Sequence, residues 1–297
     1  AVLREPDHQL QWLGLRRHVS FDINDQAQLV YIGSYRKYNS KFGQDQDATP
    51  LPVAQLDNEL NHHAFTSELR LNLKSASGFV EGTVGAFYLK QKGTYTARVD
   101  LNYVGPVIDF LHGPDTTPSN TRAAFATATV HPLDALSFTG GLRYTKDEKD
   151  YTYFRSNPDS SIPNPALCFA NPPGGSVVAY PNCILAGIYN VTGSFKGDRW
   201  DWRLVGDYRF TDGFMAYASV STGFKGGGVN PRPFVADQRL PFNPETLTTY
   251  EMGFKSDLFD RHMRLNGAVF LNKYKDIILG KTVCPESSLP TPCLRPS

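Results

Sequence analysis

The sequence has no stretch of about 18 uncharged apolar residues, so no segment can cross a bilayer as a helix. Strands remain open, because a barrel strand is apolar on one face only and looks soluble on average. Charge is nearly balanced, 30 Lys and Arg against 29 Asp and Glu. That leaves no bulk electrostatic case for a nucleic-acid partner. Heptads, helical repeats and low-complexity tails are missing, and Met occurs only 3 times in 297 residues. Cysteine is confined to two local pairs, Cys168 with Cys183 and Cys284 with Cys293. Neither has C-x2-C spacing or a nearby His, which argues against a zinc site. Two loop-closing disulfides in an oxidising compartment are expected, and closing a loop of about 15 residues is worth around 3 kcal/mol. Ala1 stands where a secreted precursor would open with Met and a basic, then apolar, segment, so the chain reads as a piece of a longer protein.

What is abundant favours strands. There are 15 Tyr, 19 Phe, 25 Gly and 21 Pro, a composition of aromatic strands and turns. Alternation with period two is the main signal. Phe65, Leu69, Leu71 and Leu73 alternate with Thr66, Glu68, Arg70, Asn72 and Lys74. Trp200, Trp202, Leu204, Tyr208 and Phe210 alternate with Arg199, Asp201, Arg203, Asp207 and Arg209. Similar patterns run through Leu136–Thr145, Val80–Tyr88 and Met263–Asn272.

Ten strands are predicted: about 10–22, 27–38, 63–74, 79–92, 122–131, 135–147, 197–210, 214–225, 246–257 and 262–275. Ten residues tilted by about 45° climb roughly 24 Å, the height of an outer-membrane apolar band. Short connections (Ile23–Gln26, Ser75–Gly78, Pro132–Asp134, Thr211–Gly213, Leu258–Arg261) alternate with long ones (Asn39–His62, Gly93–Thr121, Glu148–Lys196, Gly226–Glu245). That asymmetry fits an antiparallel up-and-down transmembrane barrel with long loops outside the cell. The predicted fold is all-β and partial.

Several motifs sharpen the reading. The runs Tyr217–Asn230 (YASVSTGFKGGGVN), Asn243–Lys255 (NPETLTTYEMGFK) and Arg264–Ile277 (RLNGAVFLNKYKDI) follow one another in order. Upstream stand Thr66–Leu71 (TSELRL) and Val84–Leu89 (VGAFYL). Together they resemble the barrel domain of TonB-dependent outer-membrane receptors, over about residues 10–280. The resemblance implies a 22-stranded barrel around an N-terminal plug. It also implies uptake of a scarce nutrient, a ferric siderophore first and cobalamin, haem or a glycan otherwise. The TonB–ExbB–ExbD system would drive it through the plug, and outer-membrane lipid would surround it. Neither plug, TonB box nor closing terminal strand is recognisable, so the whole chain, 1–297, reads as part of one barrel domain. Ten strands cannot close such a wall in lipid. The rivals are a passive porin-like channel and a soluble β protein such as a propeller or sugar-processing enzyme.

No catalytic residue, metal ligand or cofactor is expected. Glu68, Arg70, Asp201, Arg203 and Asp207 read as the wetting of an inner face, not as acid–base machinery. His62 and His63 point to opposite faces and cannot easily share an ion. Gly226-Gly227-Gly228 follows Lys225 in the wrong order for a phosphate loop and reads as a flexible rim. Tyr31, Tyr35, Tyr88, Tyr144, Trp200, Trp202 and Tyr208 read as lipid contacts and interfacial girdles. A bulky, anionic ferric complex needs aromatic walls and cations. The candidates are Lys225, Arg232 and Arg239 in the Gly/Pro loop, with Tyr180 and Tyr189 in the Cys-flanked loop.

Overall fold

A computed structural model describes residues 8–45, 54–101, 109–163, 187–231, 233 and 239–279. All four cysteines, Tyr180 and Arg232 lie outside the described residues. The chain forms β1 (Gln9–Asn24), β2 (Ala27–Asp45), β3 (Ala54–Lys74), β4 (Val80–Leu101), β5 (Asp109–Leu133), β6 (Leu136–Ser156), β7 (Tyr189–Thr211) and β8 (Phe214–Lys225). After a small hairpin of β9 (Gly228–Val229) and β10 (Pro241–Phe242) come β11 (Glu245–Leu258) and β12 (Met263–Lys275). The ten long strands make one sheet in chain order, every neighbour antiparallel. No helix is long and apolar enough to span a membrane among the described residues.

The ladder register carries the alternation across the whole sheet. Leu29 pairs with Leu71, Leu71 with Val84, Val84 with Ala126, Ala126 with Leu142 and Leu142 with Trp202, giving one apolar outer row. One residue away, Gln28, Asn72, Thr83, Thr127, Gly141, Arg203 and Ser221 form the inner row. Its polar groups are linked sideways: Asn72 Nδ2 donates to Gln28 Oε1 at 3.3 Å, and Thr83 Oγ1 donates to Asn72 Oδ1 at 2.8 Å. A one-residue slip would exchange the two faces, so burial in lipid fixes the register.

The outer face is exposed grease. Trp200 is 58% exposed, Leu204 56% and Met252 61%. Such a surface in water would drive aggregation, whereas in hydrocarbon it is at home. From Trp200 to Phe210 on β7 the chain climbs roughly 24 Å at about 45° tilt, one bilayer core between two aromatic ends.

The strands run well beyond the alternating segments. β3, β4, β5, β6 and β7 extend through 54–62, 93–101, 109–121, 148–156 and 189–196, stretches that the sequence pattern assigns to long loops. At about 3.3 Å per residue and about 45° tilt, the 25 residues of β5 climb roughly 58 Å, more than twice the apolar band. Above the membrane both faces meet water, so the ladder continues while the period-two hydrophobicity fades. Pro114 is tolerated in β5 because the pairing with β6 is irregular between His112 and Thr116.

Candidate functional site

The candidate site lies where β5, β6 and β7 project past the apolar band. On β6 the inward positions are Thr145, Asp147, Lys149, Tyr151, Tyr153 and Arg155. Tyr151 and Tyr153 stack with ring centroids 4.3 Å apart, and with Ile188 they make a buried apolar cluster flanked by Val191 and Val229.

Behind them sits a buried charge. Asp115 is 0% exposed and Arg155 1%. Arg155 Nη1 lies 2.9 Å from Oδ1 and 2.8 Å from Oδ2 of Asp115. The Phe154 backbone N–H donates to Oδ1 at 2.8 Å, and His112 Nε2, carrying the proton, donates to Oδ2 at 2.8 Å. Burial works against ionising Asp115, but the His112 hydrogen bond, the Arg155 charge and the Phe154 amide outweigh it and hold its carboxyl below the ordinary range. Burial, and then the Asp115 charge, push the Tyr153 hydroxyl up to about 12.

A local irregularity makes this cluster possible. The β4–β5 register shifts by one residue between Tyr95 and Ala97, so His112 and Asp115 both turn inward. Gly113 adopts φ +103° there, and a Cβ at that position would run into the Tyr95 carbonyl. Only glycine fits this conformation without strain.

The chain after β8 folds down onto this wall. Tyr153 Oη donates to the Asn230 carbonyl at 2.8 Å, and Lys149 Nζ to the Gly227 carbonyl at 2.9 Å. Tyr151 Oη lies 3.0 Å from Asp115 Oδ2 and 3.1 Å from the Pro231 carbonyl, sharing one proton between them. The three glycines are therefore packed rather than a flexible rim. A Cβ on Gly226 would come 2.6 Å from Asp147 Oδ2, and one on Gly227 would collide with the Phe195 ring and the Phe242 carbonyl. Gly227→Val is expected to lift the segment off the wall. Limited proteolysis of the membrane-embedded protein would then cut between residues 226 and 242 at least about tenfold faster, and unchanged cutting would contradict the packing.

Lys225 is exposed on the inner face, opposite Glu245 in the ladder. Arg239 is half-buried on the returning arm of the same segment, its carbonyl 3.1 Å from where a Gly193 Cβ would stand. Tyr189 lies on the outward side, edge-on to Phe154 at 5.4 Å, away from the wall that carries Lys225. His62 is stacked on Tyr38 at 4.9 Å on the inner face, and His63 is on the outer one. Lower in the lumen Arg143 lies 5.6 Å from the Phe87 ring centroid and 5.7 Å from that of Phe125. Arg70 pairs with Glu68, and Arg199 with Asp201 at 2.9 Å. Among the described residues no group of three or more His, Cys, Asp or Glu is placed to hold a metal. The sequence reading missed Asp115, Arg155, His112, Tyr151 and Tyr153, all in stretches it assigned to loops. The signal available was the spacing of Asp147, Lys149, Tyr151, Tyr153 and Arg155, which continues the inward phase of β6.

Residues 4–291 match the family described as TonB dependent receptor-like, beta-barrel. Over 182 residues, 61% of this chain, the sequence is 25% identical to the pesticin receptor of Yersinia pestis, of which it covers 23%. The ferric yersiniabactin uptake receptor FyuA from Yersinia pestis has a TM-score of 0.70 at 18% identity, covering 92% of this chain and 37% of that one. The siderophore receptor PiuA from Acinetobacter baumannii has a TM-score of 0.65 at 16% identity, covering 89% of this chain and 40% of that one. At such identities the structural likeness establishes the fold. The chain spans about a quarter of the length of the curated relatives it matches. With a family match over nearly all of its length and a wall that is apolar outside and polar inside, this chain belongs to the TonB-dependent receptor β-barrel family, proteins of the bacterial outer membrane.

Proposed function

We propose that the wall belongs to a receptor that takes up a ferric siderophore at the cell surface, driven by the TonB–ExbB–ExbD system. The observation that carries this reading is the segment after β8, tied onto the inner wall by Tyr151, Tyr153 and Lys149 at the end away from the short turns. With the segment tied down, Lys225 at its start and Arg239 on its returning arm have a firm support instead of a loose loop. Cations held this way suit a bulky anionic chelate. Arg232 and Tyr180, outside the described residues, stay candidates on sequence grounds alone, and Tyr189 faces away from the wall that carries Lys225. The names of the relatives point the same way, to ferric yersiniabactin and to siderophores. Transport without covalent chemistry is the activity expected of this wall.

The test is binding of iron-labelled siderophores to iron-starved cells. Deleting the receptor should abolish uptake of one ferric siderophore. Lys225→Gln with Arg239→Gln should weaken its binding roughly tenfold or more while the receptor keeps its heat-modifiable gel mobility. Uptake that persists without the receptor, or that follows cobalamin, haem or a glycan instead, would overturn the assignment.

A further inference from the structure

Below the segment that lies on the wall, one half-buried inward cation has no counter-charge among the described residues. Arg143 projects from β6 into the lumen, and its guanidinium carbon sits 5.6 Å from the Phe87 ring centroid and 5.7 Å from that of Phe125. The ladder explains this seat. Phe125 on β5 stands directly opposite Arg143, and Gly85 on β4 stands opposite Phe125. A Cβ on Gly85 would come 2.5 Å from the Phe125 ring, so the ring lies across the space that a side chain there would fill. Phe87, two residues along β4 on the same face, supplies the second ring.

Arg143 Nε donates to Thr145 Oγ1 at 3.1 Å. The carboxylates that the register brings near are engaged elsewhere. Asp201, opposite Arg143 on β7, accepts from Arg199 Nε at 2.9 Å and from Thr222 Oγ1 at 3.2 Å. Glu68, opposite Phe87 on β3, pairs with Arg70. Neither Nη group of Arg143 has a partner among the described residues. An arginine that only wets the lumen can stay exposed, as Arg36 does on β2. Arg143 is instead seated on two aromatic rings that fix its guanidinium plane. With Nε occupied, the paired Nη groups form a fork that matches the two oxygens of a carboxylate.

Its depth matches its chemistry. A Cβ on Gly226 would come 2.6 Å from Asp147 Oδ2, so the neighbouring Lys225 stands near the level of Asp147. Arg143 lies four residues below Asp147 on β6. At about 3.3 Å per residue and about 45° tilt, it is roughly 9 Å deeper in the lumen than Lys225.

We propose that Arg143, seated on Phe87 and Phe125, binds a carboxylate of an anionic iron chelate as a second station on the inner wall, one step below Lys225. The proposal rests on the uptake reading for the source of the carboxylate.

The test uses the complete receptor in neutral detergent, with citrate alone as the probe and phenylglyoxal as an arginine-selective reagent. Peptide mass spectrometry follows modification at Arg143 and, as a control, at Arg36. Arg143 should react in sodium chloride of matched ionic strength. Citrate at about 10 mM should slow that reaction about fivefold, as a site with a Kd of about 2 mM requires, and leave Arg36 unchanged. Phe87→Leu with Phe125→Leu should leave Arg143 reactive and cut the protection below about twofold. The unaltered receptor decides the matter even where that variant folds poorly. Equal reaction with and without citrate would refute the station, and so would equal protection of Arg36. Arg143 unreactive from the start would refute it too, because a carboxylate from elsewhere in the receptor would then hold the fork. Citrate protection without any siderophore uptake would keep the carboxylate site and sink the uptake reading, whereas uptake without protection would sink the station alone.

Discussion

Asp115→Ala is expected to destabilise the projecting end of the wall by about 3–5 kcal/mol, the cost of leaving a buried cation without its partner. Arg155 would remain 1% exposed with its main acceptor gone, and His112, Tyr151 and the Phe154 amide would each lose a bond. Tyr151 also faces the Pro231 carbonyl, so the damage should spread to the segment lying on the wall. Hydrogen exchange at residues 151–155 and proteolysis between residues 226 and 242 would register it. The double variant Asp115→Leu with Arg155→Met should lose less than Asp115→Ala, because no charge is orphaned. If Asp115→Ala were as resistant as the unaltered receptor, the buried pair would not be holding the segment. The same pair gives a pH dependence of defined sign. The carboxyl of Asp115 is depressed in the folded state, so its contribution is present above the ordinary carboxylate range, about 3.9, and is lost as pH falls through the folded value. The segment should therefore loosen in acid and not in mild base.

The second large effect is expected inside the bilayer. Leu204 faces outward near mid-height, between Trp200 and Phe210, and its neighbour Arg203 faces the lumen. Leu204→Arg should cost about 2–4 kcal/mol of folding free energy in lipid, whereas Arg203→Gln should change it by no more than about 0.5 kcal/mol. Urea titration of the complete receptor refolded into phospholipid vesicles measures both. Similar losses from the two substitutions would mean that the faces have been assigned the wrong way round.

How far the sequence could be read was set by solvent. Within the bilayer one face meets hydrocarbon and the other water, so residues such as Leu69, Arg70 and Leu71 print the fold directly into the sequence. The same contrast placed Glu68 and Asp201 on the inner face, and Trp200 and Trp202 on the outer one. Above the bilayer that contrast vanishes. Segments such as Asn58–His62 and Lys149–Arg155 are polar or mixed on both faces, and they look like loops although they are paired strand. The Asp115–Arg155 pair is 40 residues apart in sequence and joined only by the β5–β6 ladder, so no local motif could announce it. The packed role of Gly226–Gly228 depends likewise on Phe195 and Phe242 arriving from elsewhere.

The single-residue shift around Gly113 has a consequence for how related walls are compared. Beyond it, toward the tip of β5, even-numbered residues such as Phe110 and His112 face the lumen, whereas below it the odd-numbered Asp115 and Ser119 do. A relative without that extra residue would display a perfectly aligned copy of this tip inside out, with Leu111 toward the channel and His112 toward the bathing medium. Grafting the tip between receptors therefore transfers its chemistry only when the irregularity travels with it.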